Sequence, residues 1–591
     1  RRVTIMETWS KDLDLRSWGE KLGTPIYLFN VSRLKRNFQD YVELAGSPAN
    51  IVYPVKANPS LAVLRQICEM GGSVDCAAVS EIRLSLLAGF QPSNILNNSP
   101  DPDMPQAVNL LQKGATVVAD SAEMLRSLEA VYTSSPFPGK IFVRINPSIP
   151  ARYEKEKDYH TITAHSSNTN KFGIPAEDLP GILSRTRVPV SGLHTHVGTQ
   201  MDNVNAFVQI VRSMHEILDA IHTRTEHRIE VLDLGGGLGI PLTQPDCFPS
   251  IAELRLALRP EFREGIRYLV EPGQSLIGDA MGILTKVSVL KNIRGRNWAI
   301  MNVGSDQLSR ITLFQLHHQI LNEDHSHLST EGPDSIAGPL CFSGDVLLPN
   351  TTLGAIKAGD YLFIQRCGAY CYAFSNRFNG RHYQGMLKIC EDGSIVHCNT
   401  PESDALSPTF TTYNWDIDCP SWETPETIDL NIAKQLSSQY LKTMSTEEYF
   451  EILELKRTAF NTYEFLYDVH SPVDFVSGTL ALRLMGDACI TSALHAMGKD
   501  EKDIPVWTDH IWVHLNSAIN PDHPLTCKIM LSPIASGRTA ASKILLARYS
   551  LEDGKMTAEC RMKFTLPEVP TDHPAAIAIA QKELALTGDK A

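Results

Sequence analysis

The chain has 591 residues, 43% of them hydrophobic, and a formal net charge of −13, which is enough apolar material for about two to four domain cores. The acidic balance, with no cluster of lysine and arginine, argues against a nucleic-acid partner, because binding a phosphate backbone rests on clustered cations. The 12 cysteines are scattered without C-x-x-C pairs, so neither a metal site nor a dense disulfide scaffold is expected, and a reducing cytoplasm fits.

The opening Arg1-Arg2-Val3-Thr4-Ile5-Met6-Glu7 has no apolar core like that of a secretory signal, and no run in the chain reaches membrane-spanning length. Arg1 in place of a methionine leaves an upstream peptide open. Residues 1–26 are expected to join a β domain formed later in the chain. From there to residue 278, short β-rich apolar runs alternate with helix-like segments, the pattern of βα units on a parallel sheet. Eight runs are expected as strands: Ile51 to Val55, Ser73 to Ala77, Asn94 to Leu96, Thr116 to Ala119, Lys140 to Ile145, Val190 to His196, Ile229 to Leu234 and Arg267 to Val270. Eight strands in about 250 residues is the size of a (β/α)8 barrel, whose active site lies at the C-terminal strand ends. Lys56, Asp75, Asp120, Arg144, His196, Gly235-Gly236-Gly237 and Glu271 fall at those ends.

Residues 279–400 shift to shorter strands with Gly and Asn turns and read as a β domain. Residues 401–440, rich in Pro, Thr, Ser and acidic side chains, read as a linker. In residues 441–591 an apolar helical run from Thr479 to Met497 precedes four strand-like runs, Asp509 to Leu515, Thr526 to Pro533, Ala540 to Ser550 and Met556 to Leu566. That order suggests an α+β domain in which a sheet wraps around a helix.

Lys56 taken alone is an ordinary lysine that extends its charge to water. Three glycines after Val231-Leu232-Asp233-Leu234 let backbone N–H groups approach an anion closely. Combined with the strand-end lysine, histidine and glutamate, they fit pyridoxal phosphate in a barrel mouth. The motifs Tyr53-Pro54-Val55-Lys56-Ala57-Asn58, Asp75-Cys76-Ala77 with Glu81, Lys171-Phe172-Gly173, His194-Thr195-His196-Val197-Gly198-Thr199-Gln200, Gly235-Gly236-Gly237, Glu271-Pro272-Gly273, Cys341 with Asp345, Gly368-Ala369-Tyr370 and Phe378-Asn379-Gly380 stand in one order. In these the chain resembles the fold-type III pyridoxal-phosphate enzymes of the ornithine and diaminopimelate decarboxylase family over roughly residues 20–400.

The resemblance implies an alanine-racemase-like barrel with a β domain. It implies that Lys56 holds the cofactor as a Schiff base, that His196 stacks on its ring and that Glu271 pairs with the ring nitrogen. Gly235, Gly236, Gly237 and Gly273 would seat the phosphate, with Thr199 and Tyr370 adding hydroxyls. Asp75, Glu81 and Arg144 would organise the lysine, and Cys341 would protonate the carbanion from a partner subunit, giving a homodimer with shared active sites. Substrate contacts are expected from Gln274, Arg310, Phe314, His318, Phe342 and Asp345.

Three of these positions depart from the family. Gln274 stands where the family has arginine, Phe314 where it has tyrosine, and Phe342 follows Cys341 where it has an acidic residue. An apolar ring offers a distal ammonium no ionic partner, so neither free ornithine nor free diaminopimelate is the expected substrate. Two alternatives stay open, an inactive homologue acting as a regulatory binding protein and an amino-acid racemase. The C-terminal domain resembles a hotdog-fold thioesterase through Val476-Ser477-Gly478 and the helix carrying Asp487. That resemblance implies Asp487 as a base for water, Gly478 near a carbonyl-polarising amide, His470 and Asp474 as poorer candidates, and an acyl thioester on coenzyme A or a carrier protein as ligand.

Overall fold

The computed structural model describes residues 9–149, 153, 164–166, 170–243, 247–399, 426–437, 449–459, 462–470, 478–496, 506–515, 519, 524–536, 542–551 and 556–565. They fall into two compact units, one within residues 1–398 and one within 399–569.

In the first unit, strand β1 (Ile26–Asn30) precedes eight parallel strands: β2 (Val52–Pro54), β3 (Ser73–Cys76), β4 (Ile95–Asn98), β5 (Thr116–Ala119), β6 (Lys140–Asn146), β7 (Val190–His194), β8 (Val231–Asp233) and β9 (Arg267–Leu269). Each pairs with the next in sequence. The Val52 N–H donates to the Val270 carbonyl at 2.9 Å and the Val270 N–H to that of Asn50 at 3.0 Å, closing a (β/α)8 barrel. All eight expected runs are strands. They read as continuous apolar runs because each is covered by helices outside and packed inside.

The interior is plugged by Val52, Leu96, Val118, Phe142, Val231 and Leu269, one from each of six strands. Gly192 on β7 makes room for Phe142, whose ring a Cβ there would strike. Because strand side chains alternate between faces, the residue two positions further along each strand also points inward, one layer nearer the barrel mouth. From Leu96, Val118, Phe142, Val231 and Leu269 that step gives Asn98, Asp120, Arg144, Asp233 and Glu271, and from Gly192 it gives His194. A polar layer thus stands directly above an apolar one.

The β domain contains β10 (Met281–Ile293), β11 (Arg296–Met301), β12 (Asp334–Ala337), β13 (Val346–Thr351), β14 (Tyr361–Ile364), β15 (Gly385–Ile389) and β16 (Ile395–Asn399). Its order is β13-β12-β11-β10-β1-β15-β16, with β14 also on β10. The β10–β11 hairpin turns on Arg294 and Gly295, with φ of 52° and 90°, the two positive angles that a tight hairpin of matching twist requires. β1 pairs with both β10 and β15. The N-terminal contribution to this sheet therefore extends to Asn30, beyond the expected limit at residue 26.

The second unit is a seven-stranded sheet of β17 (Glu426–Thr427), β18 (Tyr449–Ala459), β19 (Thr462–His470), β20 (Val506–Leu515), β21 (Leu525–Ser536), β22 (Ser542–Leu551) and β23 (Met556–Thr565), in the order β17-β18-β19-β21-β22-β23-β20. All its pairings are antiparallel. The helix Gly478–Ala496 buries Leu480, Leu484, Ala488 and Leu494 in one cluster with Phe450, Phe465, Tyr467 and Leu525. Two differences from the sequence reading appear here. The hairpin β18–β19 precedes the helix, and its alternation of buried Tyr463, Phe465, Tyr467 and Val469 with the less buried Glu464, Leu466, Asp468 and His470 was there to be read. The end of the expected linker is also structured: Leu430–Leu436 is a helix that buries Ala433 and Leu436 in the same cluster, because two apolar side chains three apart suffice to dock a short helix.

Candidate active site

Lys56 sits on the single turn Val55–Ala57 after β2, its Nζ 3.2 Å from Asp75 Oδ2, with the lysine side chain half exposed and the aspartate buried. Burial pulls the Lys56 ammonium down, but the carboxylates of Asp75 and Glu271 more than reverse that and hold it above its ordinary value. Asp75 Oδ1 is buried without a hydrogen-bond partner among the described residues. Behind it, Glu81 Oε2 accepts the Ala77 N–H at 2.7 Å, fixing the end of β3. Arg144 lies 3.5 Å from Asp120 and flat over Phe172, 4.3 Å from the ring centroid.

A cluster of buried polar side chains forms the floor. His194 Nε2 lies 3.3 Å from Glu271 Oε1 and 3.2 Å from the Asn98 amide nitrogen. Asp233 accepts the Gly235 N–H at 3.0 Å. Burial, then the neighbouring Glu271, push the Asp233 carboxyl well above its usual range. Burial also raises Glu271, but His194, Lys56 and Arg144 outweigh it and leave Glu271 below its usual value. Of the two buried carboxyls, Asp233 keeps the proton and Glu271 carries the charge.

His196 faces this floor. Its Nδ1 accepts the Gly236 N–H at 3.3 Å, and its ring lies 4.9 Å from that of His165. Burial, then the positive groups around it, lower its basicity well below the usual histidine value, so the imidazole is neutral. The glycine turn is one that no other residue fits: a Cβ on Gly235, Gly236 or Gly237 would strike the carbonyl oxygens of Thr195, Glu271 and Gly198, and Gly235 and Gly237 have φ of 66° and 116°, a region that favours glycine. A Cβ on Gly273 would lie 2.7 Å from the Tyr370 hydroxyl, and the Tyr370 N–H donates to the Ala57 carbonyl at 2.7 Å. Thr199 sits half-buried between His196 and the glycine turn in the chain, its carbonyl accepting the Tyr153 hydroxyl at 3.2 Å.

A flat ring bearing a phosphate fits this donor set: a half-exposed amine, a neutral imidazole face, a buried carboxylate anion, and backbone amides at glycines too crowded for any side chain. The sequence reading singled out Lys56, Asp75, Arg144, His196, Thr199, Gly235, Gly236, Gly237, Glu271, Gly273 and Tyr370. It missed His194, Asp233 and Asn98, which the period-two step from the apolar plug would have found.

The expected substrate contacts divide. Phe314 meets Phe374 edge to face at 6.4 Å, and Phe342 meets Phe378 in the same way at 6.5 Å, with Phe342, Phe374 and Phe378 each roughly half exposed. Gln274 and Arg310 are buried and bonded to each other, Nη1 to Oε1 at 3.0 Å. Asp345 is corrected to a structural role: it is buried, and its two oxygens accept the Ser305 and Leu340 N–H groups at 2.6 and 2.9 Å, which clamps the loop carrying Cys341. Cys341 itself is exposed, its N–H donating to Asn379 at 2.8 Å. His318 is likewise enclosed, its Nδ1 on the Gln365 carbonyl at 2.9 Å and its Nε2 3.7 Å from the Cys371 sulfur. With Cys367 these form a buried cluster whose ligand atoms lie within 4.8 Å of one another, a grouping of soft donors that spacing along the chain did not foretell.

In the second unit, Asp487 is fully buried, and its oxygens accept the hydroxyls of Ser437 at 2.8 Å and Tyr467 at 3.3 Å. That satisfied carboxylate stands in the core, which corrects its expected place beside water. His470 is exposed and stacked on Tyr449 at 4.8 Å; alternation along β19 turns it away from the buried row and the helix. Asp474 lies outside the described residues.

Comparison with known proteins gives the same direction. Residues 31–278 match the family model for the pyridoxal-dependent decarboxylase, pyridoxal binding domain. The chain is 30% identical over 380 residues to the diaminopimelate decarboxylase of Methanothermobacter thermautotrophicus, covering 61% of this chain and 86% of that protein. It is 28% identical over 397 residues to that of Zymomonas mobilis, covering 65% and 92%. Among solved structures, diaminopimelate decarboxylase from Helicobacter pylori complexed with L-lysine aligns with a TM-score of 0.59 at 22% identity, over 66% of this chain and 96% of that one. Lysine/ornithine decarboxylase from Vibrio vulnificus complexed with putrescine aligns with a TM-score of 0.52 at 21% identity, over 63% and 96%. The barrel, the β domain and the 30% relative together establish that this chain belongs to the pyridoxal-phosphate-dependent decarboxylase family.

Proposed function

We propose that this protein removes CO2 from an amino acid whose distal end is uncharged or masked by an acyl group. The observation that carries this is two aromatic pairs, Phe342 with Phe378 beside Cys341 and Phe314 with Phe374 beside Tyr370. Such rings gain by covering apolar area and offer a distal ammonium no carboxylate. The relatives named diaminopimelate decarboxylase favour a doubly charged substrate instead, and the two readings separate cleanly by experiment.

Pyridoxal phosphate, when bound, supplies the sink for the electron pair left as CO2 departs. Lys56 would hold the cofactor through its amine, with Asp75 keeping that amine oriented. His196 would lie against the cofactor's ring, and the Glu271 carboxylate would favour a proton on the ring nitrogen. Cys341 delivers a proton to the α-carbon, and its exposure supports a homodimer in which it serves the partner's site. The family's resident groups Lys56 and Cys341 are both present, which supports catalysis over a purely regulatory role.

The second unit is proposed as a hotdog domain for an acyl thioester on coenzyme A or a carrier protein. Its support is one long helix packed on an antiparallel sheet. The satisfied, buried Asp487 favours binding over hydrolysis.

The test is CO2 release from a panel of free and N-acylated amino acids, with Lys56→Ala and Cys341→Ala as controls. Acylated or apolar-tailed substrates are expected to turn over and Lys56→Ala to abolish release. Robust release from diaminopimelate or ornithine would overturn the substrate class, and unchanged release in Lys56→Ala would overturn the chemistry.

A further inference from the structure

Two buried thiols and an imidazole meet at one point of the β domain. His318 is 1% exposed and Cys367 and Cys371 are fully buried, and one ligand atom from each lies within 4.8 Å of the other two. Buried cysteines usually pack as small hydrophobes, so proximity alone assigns nothing. The histidine supplies a second observation. Its Nδ1 lies 2.9 Å from the Gln365 carbonyl, which can only accept, so in the neutral ring Nδ1 carries the proton and Nε2 presents its lone pair. That Nε2 lies 3.7 Å from the Cys371 sulfur. A ring with one nitrogen on a backbone carbonyl and the other bare beside a soft donor is the arrangement that holds a metal-binding imidazole in its tautomer.

The cysteines are fixed by the chain around them. The Cys367 N–H donates to the Met281 carbonyl at 2.9 Å, and the Cys371 carbonyl accepts the Phe374 N–H at 3.1 Å. A zinc-type centre, with sulfur at about 2.3 Å and nitrogen at about 2.0–2.1 Å, holds its ligand atoms roughly 3.5–4 Å apart. His318 and Cys371 already have that spacing, and the Cys367 sulfur, 3.9 Å from Nδ1, completes the set by rotating about its Cα–Cβ bond. Thiolates with an imidazole select soft cations over hard ones.

We propose that His318, Cys367 and Cys371 form a binding site for a thiophilic cation of the zinc(II) or copper(I) class. Both thiols give their protons to solvent as the sulfur–metal bonds form, the imidazole gives its Nε2 lone pair, and no electron is transferred. Between the two cysteines, Tyr370 donates its N–H to the Ala57 carbonyl at 2.7 Å and sets its hydroxyl over Gly273. A bound ion thus clasps the turn that brings Tyr370 to the candidate active site.

The test titrates the full-length protein, reduced and stripped of metal, with zinc(II) and, in a separate anaerobic arm, with copper(I), each against a chromogenic chelator. At least one ion is expected to bind at about one equivalent per chain with a submicromolar Kd, and the tighter of the two names the cation. Cys367→Ala, Cys371→Ala and His318→Gln are each expected to weaken it about 100-fold, roughly one ligand's share of the binding free energy of a four-ligand zinc site. Cys247→Ser and Cys341→Ser, at exposed positions, are expected to leave the metal affinity unchanged. Should the buried variants fail to fold, X-ray absorption of the loaded wild type is expected to show two sulfurs at about 2.3 Å and one nitrogen at about 2.0 Å from the ion.

Wild-type protein that holds neither ion would overturn the proposal. So would affinity that vanishes in Cys247→Ser or Cys341→Ser, folded Cys367→Ala and Cys371→Ala proteins that bind as wild type does, or a shell of oxygen and nitrogen alone.

Discussion

His194 Nε2 lies 3.3 Å from Oε1 of Glu271, with both side chains buried on the barrel floor. His194 contacts the carboxylate, and beside Asp233, whose carboxyl is pushed up by burial, Glu271 is held below its usual value and carries the charge of the two carboxyls. Glu271→Gln keeps the shape and removes the charge, so kcat is expected to fall about 100- to 1,000-fold, as on losing a preorganised electrostatic contact, with cofactor content retained. His194→Gln is expected to lose less, about 10-fold, because it acts through Glu271. Steady-state kinetics on both variants, with absorbance for bound cofactor, checks the order of the two effects.

Asp75 sets the titration of Lys56. The lysine's pKa is raised in the folded protein, so the ion pair stabilises the fold fully below the free-lysine value, and that contribution fades as pH rises through the raised one. In Asp75→Asn the midpoint for labelling Lys56 in the cofactor-free protein with an amine reagent is expected to fall by about one unit or more. An unmoved midpoint would show that the 3.2 Å pair has no energetic weight.

Phe142 fills the barrel plug against Gly192. Phe142→Ala is expected to cost about 3–5 kcal/mol of stability by leaving a cavity that the closed sheet cannot collapse into. Chemical denaturation monitored by far-ultraviolet circular dichroism measures this directly.

In the second unit, Asp487→Ala strands the hydroxyls of Ser437 and Tyr467 in the core. About 1–3 kcal/mol per unpaired group is expected, seen as an earlier unfolding transition. CO2 release is expected to stay within about twofold of wild type, since Ser437 and Tyr467 both belong to the second unit. Thioester hydrolysis that vanishes in Asp487→Asn while the fold is retained would restore the water-activating role.

Cys341 and Lys56 test the shared site. Lys56→Ala and Cys341→Ala proteins, each inactive alone, are expected to regain about one quarter of wild-type activity when mixed and allowed to exchange subunits, the value for mixed dimers with one intact site each. No regain after exchange would place both residues in the same protomer's site.

Much of this was written in the one-dimensional pattern. The eight barrel strands were legible because short β-rich runs recur at regular spacing, and Lys56, His196 and Glu271 stood out as candidates because they fall at the strand ends where a barrel's site lies. The hairpin β18–β19 was overlooked although its alternation is regular, and the helix Leu430–Leu436 was hidden in a segment whose composition reads as a linker. His194 and Asp233 were passed over because a buried histidine and aspartate look like ordinary core polar groups until the floor beneath them is known.

The sequence by itself determined the barrel, because strand periodicity depends on local spacing alone, and its ordered motifs pointed to the decarboxylase family and its cofactor. Only the tertiary structure decided which polar groups share protons, that Asp345 clamps a loop and Asp487 lies in a core, and that Gln274 holds Arg310. The last three depend on contacts between residues 36 to 50 positions apart in the chain, where burial and distance, rather than residue type, fix what a side chain does.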